Sequence, residues 1–386
     1  MREGWTETTL GDVAEYINGY PFKPSDLGEI GTAVIRIKQL LEPSEKVDRT
    51  IVKVPERCVL RDGDIVFSWS GTLAVRVWNR GPAYLNQHLF RVVEKPGVNH
   101  DWLPLVIDHA IEELLEKSHG TTMKHITKQT LLPHQVLLPP IAEQKRIVDV
   151  VSSVDAYIDA LQHQVDAART ARNAIGENAV NSGYPVAKLS DIGRVITGST
   201  PPTKRLEYWE PEEVDFVTAG DFGAQLLIKT ASRMVSREGA NVSRLLSSHS
   251  VMQVCIGATI GKVGYVSHEV VTNQQINSIV GLEELDAYFV ALMLSTNEMQ
   301  ASIRDRAGTT TLPIISKSGW GELSIPWPDG SVRESISVLA KSIDEFIFET
   351  DRTVVEAKNL RSGLLSDLLS GEHEIPVSYD ELLGAA

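Results

Sequence analysis

The chain has 386 residues, 42% of them hydrophobic, and a formal net charge of −14, which suits a soluble protein with room for two or three cores. No stretch approaches the roughly 18 to 20 apolar residues of a membrane span, and the first residues, MREGWTETTL, lack the apolar core of a secretory signal. Cys58 and Cys255 stand alone, which excludes a disulfide framework or a cysteine zinc site, and a cytoplasmic setting is expected. The acid balance argues against a uniformly basic nucleic-acid binder. Its distribution weakens that objection: residues 1-140 and 183-328 sum to only −2 and −3, while 141-182 carry −2 and the segment from 329 carries −7.

In chain order, residues 1-140 read as a first mixed domain. Runs at Ala33 to Ile37 and Asp64 to Phe67 predict strands, Asp62-Gly63 predicts a turn, and Leu103 to Lys117 predicts a helix. Pro139 and Pro140 halt the strand-like run Gln135 to Leu138, and a long helix over 141-182 follows, since proline suits a helix start. Ser182, Gly183, Tyr184 and Pro185 end it. A second mixed domain fills 183-328, a second long helix 329-371, and an acidic, loosely held tail 372-386.

The second half restates the first. Leu10, Asp12, Val13, Ile17 and Gly19 recur as Leu189, Asp191, Ile192, Ile196 and Gly198, at a shift of 179. Thr72, Asn86 and Gln87 return as Thr259, Asn273 and Gln274 at 187, and Gly120, Thr121 and Thr122 as Gly308, Thr309 and Thr310 at 188. Order is kept while the shift drifts by a few loop residues, so the chain is a tandem repeat with two related sites.

The long helices repeat most regularly. From Ile147, apolar positions run Val151, Val154, Ile158, Leu161, Val165, Ala168, Ile175 and Ala179, alternating steps of four and three as in a heptad seam. Adding 189 gives Ile336, Ala340, Ile343, Ile347, Thr350, Val354, Ala357, Leu364 and Leu368, with Arg172 and Arg361 at the single gap of each series. Either each arginine lays its stem along the seam and reaches water, or antiparallel packing pairs Arg172 with Asp344 and Arg361 with Asp155, fixing register.

This order of mixed domain, Gly-Thr turn, Asn-Gln pair, Gly-Thr-Thr-Met-Lys-His-Ile run at 120-126, junction PPIAEQKRI at 139-147 and long helix, then all of it again, resembles the specificity subunit of a type I restriction-modification system. The resemblance covers about residues 5 to 371, and the junction is its most specific piece. It implies an α+β fold: two mixed α/β target recognition domains related by a pseudo-twofold repeat and separated by two long helices in an antiparallel coiled coil. Each domain would read one half of a split double-stranded DNA target. The coil, whose helices of about 40 residues span roughly 60 Å, would set the spacer and carry DNA adenine methyltransferase subunits, two by symmetry, with restriction and translocase subunits in a larger assembly. No cofactor is expected on this chain; S-adenosylmethionine and ATP would sit on the partner subunits.

Departures from the pattern suggest unequal ends. Glu143 and Gln144, candidates for partner docking in the junction, face Ser331 and Val332 at a shift of 188, and Met123, Lys124 and His125 face Thr311, Leu312 and Pro313. Candidate DNA contacts come from chemistry and position. Asn86, Gln87, Asn273 and Gln274 carry amides suited to adenine edges, though they could equally close loops. Thr72, with Thr259 and Lys262, adjoins glycine turns. Thr121, Thr122, Lys124, His125 and Lys128, with Thr309, Thr310 and Lys317 as partial mates, offer hydroxyl and basic groups for phosphate. Arg36, Lys38 and Arg76 in the first domain, and Lys204, Arg205 and Arg233 in the second, are candidates from charge alone.

Catalytic signatures are poor. GATIGKVG at 257-264 has three residues between its glycines, not the four of a phosphate loop, and Val263 where a metal-binding hydroxyl belongs. His119 and His125 lack a carboxylate at metal spacing, Asp62 and Asp64 bracket a turn glycine, and no adenine-methyltransferase motif occurs. Two classes therefore remain: a non-catalytic DNA-recognition subunit, or an interaction scaffold derived from one.

Overall fold

A computed structural model describes residues 2–117, 126–308, 312–376 and 378–380. The chain divides into unit 1, Met1–Asp159 with Val355–Ala386, and unit 2, Ala160–Val354. The first long helix is Ile141–Val180 and the second Gly330–Ser370, so each unit contains part of each helix.

In unit 1 the strand Thr6–Thr9 pairs antiparallel with Gln135–Leu138, the run that leads into the first long helix. Thr9 then caps a single helical turn, Leu10–Val13, its Oγ1 accepting from the Asp12 amide at 3.2 Å. Ala14–Asn18 forms the edge of a four-stranded antiparallel sheet, followed by Leu89–Glu94, Ile65–Ser68 and Ala74–Val77. Ile65, Val66 and Phe67 are all buried, as a strand covered on both faces requires. A smaller sheet orders Arg49–Thr50, Thr32–Ile35, Ala83–Leu85 and Val59–Leu60. The extended run expected to reach Ile37 stops at Ile35, because Ile37–Leu41 winds into a helical turn that buries Leu40.

The helix Trp102–Lys117 follows, its start held by Asn99, whose Oδ1 accepts from the Asp101 and Trp102 amides, both at 2.9 Å. Trp102, Val106, Ala110 and Leu114 recur every four residues and bury one face, in one core with Ile147, Val151, Leu365 and Leu368 of the long helices. Leu365 is more buried than the expected seam residue Leu364. Here the helix packs on the mixed domain as well as on its partner helix, which widens the apolar stripe.

Unit 2 repeats the plan. Val186–Lys188 pairs antiparallel with Ser324–Pro326. Arg194–Thr197 forms the edge of a four-stranded sheet, followed by Ile276–Val280, Val251–Val254 and Val263–Tyr265. A second sheet orders Met234–Val235, Val214–Val217 and Val270–Thr272. The connectivity of the large sheet is the same in both units, so the sequence repeat is a structural repeat. The helix Glu284–Ser295 buries every residue from Ala287 to Leu294 and shares a core with Ala179 and Ala340.

Within unit 2 the long helices run antiparallel: Arg172 meets Asp344 at 3.1 Å, and one turn back Arg169 meets Asp351 at 2.8 Å. Within unit 1, Arg361 forms a two-pronged pair with Asp155. Leu161, Val165, Ile347 and Val354 are buried along the seam, and so is Thr350, whose hydroxyl donates to the Phe346 carbonyl four residues back at 2.8 Å. Ile158 is buried too, whereas Val154 and Ile343, beside the ion-paired aspartates, are only half-buried.

His100 in unit 1 lies 3.1 Å from Glu94 and 2.9 Å from the Gly63 carbonyl. Burial opposes its charge, but the Glu94 carboxylate and that carbonyl outweigh burial, so its pKa is raised. A basic group whose pKa rises on folding adds stability that is complete below its unfolded value and lost as pH rises through the folded one. The urea midpoint of unit 1 is therefore expected to decline as pH rises from about 6.5 upward. In a His100→Gln variant that decline disappears; an unchanged profile would rule out this pair as its source.

Candidate nucleic-acid interface

The structure brings together two motifs that lie far apart in sequence. Gly19, at the end of the edge strand, lies against the Asn86-Gln87 loop: the Gln87 amide donates to the Tyr20 carbonyl at 3.1 Å and the Tyr20 amide to Leu85 at 2.7 Å. Gly198 lies against Asn273-Gln274 in the same way, its amide donating to Ile276 at 3.0 Å. A Cβ on Gly19 would fall 2.2 Å from the Asn86 carbonyl oxygen, and one on Gly198 2.1 Å from that of Asn273. Glycine is required at both places because backbone passes against backbone.

This packing divides the amide pair. Asn86 is buried and its Oδ1 accepts from the His88 amide at 3.3 Å. Asn273 closes the same turn, accepting from the Gln275 amide at 3.0 Å and donating to the Gln275 side chain at 3.1 Å. The asparagines therefore hold their loops, the second of the two roles open to them, Asn86 through its Oδ1 and Asn273 through both ends of its amide. Gln87 and Gln274 are exposed at the loop tips. Gln274 is steadied by Thr200, whose hydroxyl donates to its Oε1 at 2.8 Å. Nothing in the composition marked Thr200; the small-residue run Gly198, Ser199, Thr200 before Pro201 was the available signal.

The cations separate similarly. Lys128 is drawn inward, its Nζ donating to the Tyr16 carbonyl and lying 5.0 Å from the Phe90 ring centre, so it is a structural lysine and not a phosphate contact. Arg36 pairs with Asp48 at 3.2 Å. Arg76 folds back onto the Val75 carbonyl at 2.7 Å and lies in the field of Asp108. The Asp108 pKa is raised by burial, against the pull of Arg361 and Arg76. Arg233 stacks on Trp209 at 4.5 Å and Arg205 on Tyr208 at 5.6 Å. Lys38, Lys204 and Lys317 are exposed, as are Thr72 and Thr259 at turns where Gly71 and Gly257 take positive φ. Lys262 donates to the Phe222 carbonyl at 3.2 Å. Thr121, Thr122, Lys124, His125, Thr309 and Thr310 lie outside the described residues.

The docking assignment of Glu143 and Gln144 is also corrected. Gln144 is fully buried: its Oε1 accepts from the Asn99 amide at 2.7 Å, and its Nε2 donates to Gly97 at 3.0 Å and Pro139 at 2.8 Å. Glu143 accepts from the Trp5 indole at 2.9 Å and pairs with Arg2 at 2.7 Å. The junction ties the first long helix to its own domain, and neither polar group is offered to a partner. Unit 2 solves the same problem with Arg333, which forks onto Asp286 at 2.8 and 3.2 Å and lies over Trp327 at 3.9 Å. Gln144→Leu, which takes the partner from three backbone groups, one of them buried, is expected to cost about 2 kcal/mol in urea unfolding. A loss under about 0.5 kcal/mol would contradict this role.

The repeat pairs on the helices differ in depth. The Arg172 and Asp344 side chains are 12% and 17% exposed, against 22% and 42% for Arg361 and Asp155. Asp344 also accepts from the Tyr288 hydroxyl at 2.7 Å. Burial and the adjacent Asp344 carboxylate push the Tyr288 pKa far up, so it stays a neutral donor. Burial likewise pushes the Cys255 thiol up to about 12, which leaves it without a thiolate at neutral pH. Among the described residues, no helix is long and apolar enough to cross a membrane.

A family model described as the type I restriction modification DNA specificity domain matches residues 2–168 and again 181–352. The HindI specificity subunit of Haemophilus influenzae is 32% identical over 200 residues, 50% of this chain and 42% of that protein. The EcoBI specificity subunit of Escherichia coli is 24% identical over 169 residues, 43% of this chain and 35% of that one, so the chain spans less than half the length of these relatives. A putative MjaX specificity subunit of Methanocaldococcus jannaschii is 22% identical over 419 residues, covering 96% of this chain and 94% of that protein. The crystal structure of a type I restriction-modification S subunit from M. genitalium aligns over 96% of this chain and 97% of that one with a TM-score of 0.57 at 13% identity, a likeness of fold. With one family model matched in each half, and the same sheet and loop arrangement built twice, the chain belongs to the type I restriction-modification DNA specificity family.

Proposed function

We propose that this chain is the sequence-reading subunit of a type I restriction-modification complex, with unit 1 reading one half of a bipartite double-stranded DNA target and unit 2 the other. It has no catalysis of its own. It directs DNA adenine methyltransferase subunits, two by the repeat, and in a complete system restriction and translocase subunits, which bring S-adenosylmethionine and ATP. The observation that carries this reading is the duplicated edge-strand glycine and Asn-Gln loop, which presents one exposed glutamine per unit. A glutamine amide pairs bidentately with adenine in the major groove, and each such contact discriminates by about 1–3 kcal/mol. The two loops differ around that glutamine, with His88 after Gln87 and Gln275 after Gln274, so two different half-sites are expected.

The test is a genome-wide map of methylated adenine in cells expressing the chain with its methyltransferase, against the methyltransferase alone. A new split motif supports the reading. If the two proteins copurify and no motif appears, the chain is a scaffold.

A further inference from the structure

Unit 2 contains a cleft of about 510 Å³ whose lining includes Arg194, Arg244 and Lys317 and no carboxylate. Val195, Ile196, Thr197 and Leu245 complete its lining. Six other cations of this unit, Arg169, Arg172, Lys188, Arg237, Arg333 and Lys341, each meet an acid. Among the described residues, none of the three cleft cations has an acid within ion-pair distance, and all three are exposed. Three uncompensated positive charges around one concavity, in a chain of net charge −14, repel one another. Such an arrangement is stabilised when an anion enters.

The cleft is built against the loop that carries Gln274. The Arg244 guanidinium donates to the Thr197 carbonyl at 2.7 Å and the Arg244 amide to the Ser199 hydroxyl at 3.1 Å. The next residue, Thr200, holds Gln274. On the other side the Thr197 hydroxyl donates to Asn277 at 2.7 Å, and Asn277 donates to the Ile315 carbonyl, two residues before Lys317. The cations and the exposed glutamine therefore share one hydrogen-bonded frame.

Among the described residues, unit 1 lacks this feature for legible reasons. At the repeat shift of 179, Arg194 corresponds to Glu15, which is exposed. Lys317 corresponds to Lys128 at 189, each the first residue of a short helix, but Lys128 is held over Phe90. The residue matching Phe90 at 187 is Asn277, so unit 2 offers no ring there and Lys317 stays outside.

We infer that Arg194, Arg244 and Lys317 form a DNA phosphate clamp present in unit 2 alone, which anchors the duplex backbone beside Gln274 and makes the two units grip DNA unequally. This rests on the DNA-reading function proposed above. Phosphate contacts fix position without reading bases, so the clamp governs affinity and salt dependence while leaving the target sequence unchanged.

The experiment uses the full chain assembled with its methyltransferase and a duplex carrying the mapped target, with binding measured across a salt series. Arg194→Ala/Lys317→Ala is the main variant because it spares the Arg244 hydrogen bond to Thr197. It is expected to lower the slope of log K against log salt by about 2 and weaken binding tenfold or more near physiological salt. The methylation motif stays the same. Arg194→Glu/Lys317→Glu is expected to lose more. Wild type and both variants binding tightly with equal slopes would overturn the clamp alone, as would a changed motif, which would make these residues base readers. A wild-type complex without salt-dependent duplex binding would overturn the DNA reading itself.

Discussion

Gly198→Ala is expected to destabilise unit 2 by about 3 kcal/mol or more, well beyond the usual effect of adding one methyl group. The new Cβ would lie 2.1 Å from the Asn273 carbonyl oxygen, 2.2 Å from the Thr272 hydroxyl and 2.4 Å from the Thr272 carbonyl oxygen. Two of these are backbone atoms, and neither side can move freely. Gly198 follows the edge strand Arg194–Thr197, and Thr272 ends a strand in the second sheet. Gly19→Ala should do the same to unit 1, where the Asn86 and Leu85 carbonyl oxygens lie 2.2 and 2.4 Å from the added carbon. Gly223→Ala is the comparison, since nothing lies within 4 Å of its Cβ, and it should change stability by less than about 0.5 kcal/mol. Urea unfolding of the full chain reads the difference. Equal midpoints for Gly198→Ala and Gly223→Ala would show that the close approach is relaxed at no cost. Functionally, the Gly198 variant should also displace the Gln274 loop and degrade recognition of one half-site only.

Arg172→Ala is expected to cost about 3 kcal/mol, because it leaves the mostly buried Asp344 carboxylate with the Tyr288 hydroxyl but without its cation. Arg361→Ala should cost less, about 1 kcal/mol, since Asp155 is 42% exposed and water takes over much of the work. The two arginines are repeat mates on equivalent turns of the long helices, so the contrast isolates burial from chemistry. The reversed pair Arg172→Asp/Asp344→Arg should recover part of the loss relative to either reversal alone. A cycle with no coupling between the two positions would mean that the arginine acts through its stem and that the ion pair is incidental.

Much of the fold was legible because it is written twice. The repeat shifts matched equivalent segments and the long helices, and the gap at Arg172 and Arg361 in two largely apolar seams pointed to Asp344 and Asp155. What failed has a common physical origin: the fate of a polar side chain depends on partners distant in sequence. Gln144 opens a helix, where polar residues are commonly solvated, yet it is enclosed by Gly97, Asn99 and Pro139. Lys128 and Lys317 look alike in sequence, but one meets Phe90 and the other a cleft. Asn86 and Gln87 are adjacent amides, and only the bend of the backbone turns the first inward. Arg194 and Arg244 carried no motif; the cleft they line with Lys317 brings together positions up to 123 residues apart in sequence.

The most direct test of the account is the methylated-adenine map repeated for the wild type, Gln87→Ala and Gln274→Ala, each expressed with the methyltransferase. The account predicts a split motif for the wild type. Gln87→Ala should relax a position in one half, and Gln274→Ala a position in the other. A single undivided motif, or two substitutions that relax the same half, would contradict the assignment of one half-site to each unit.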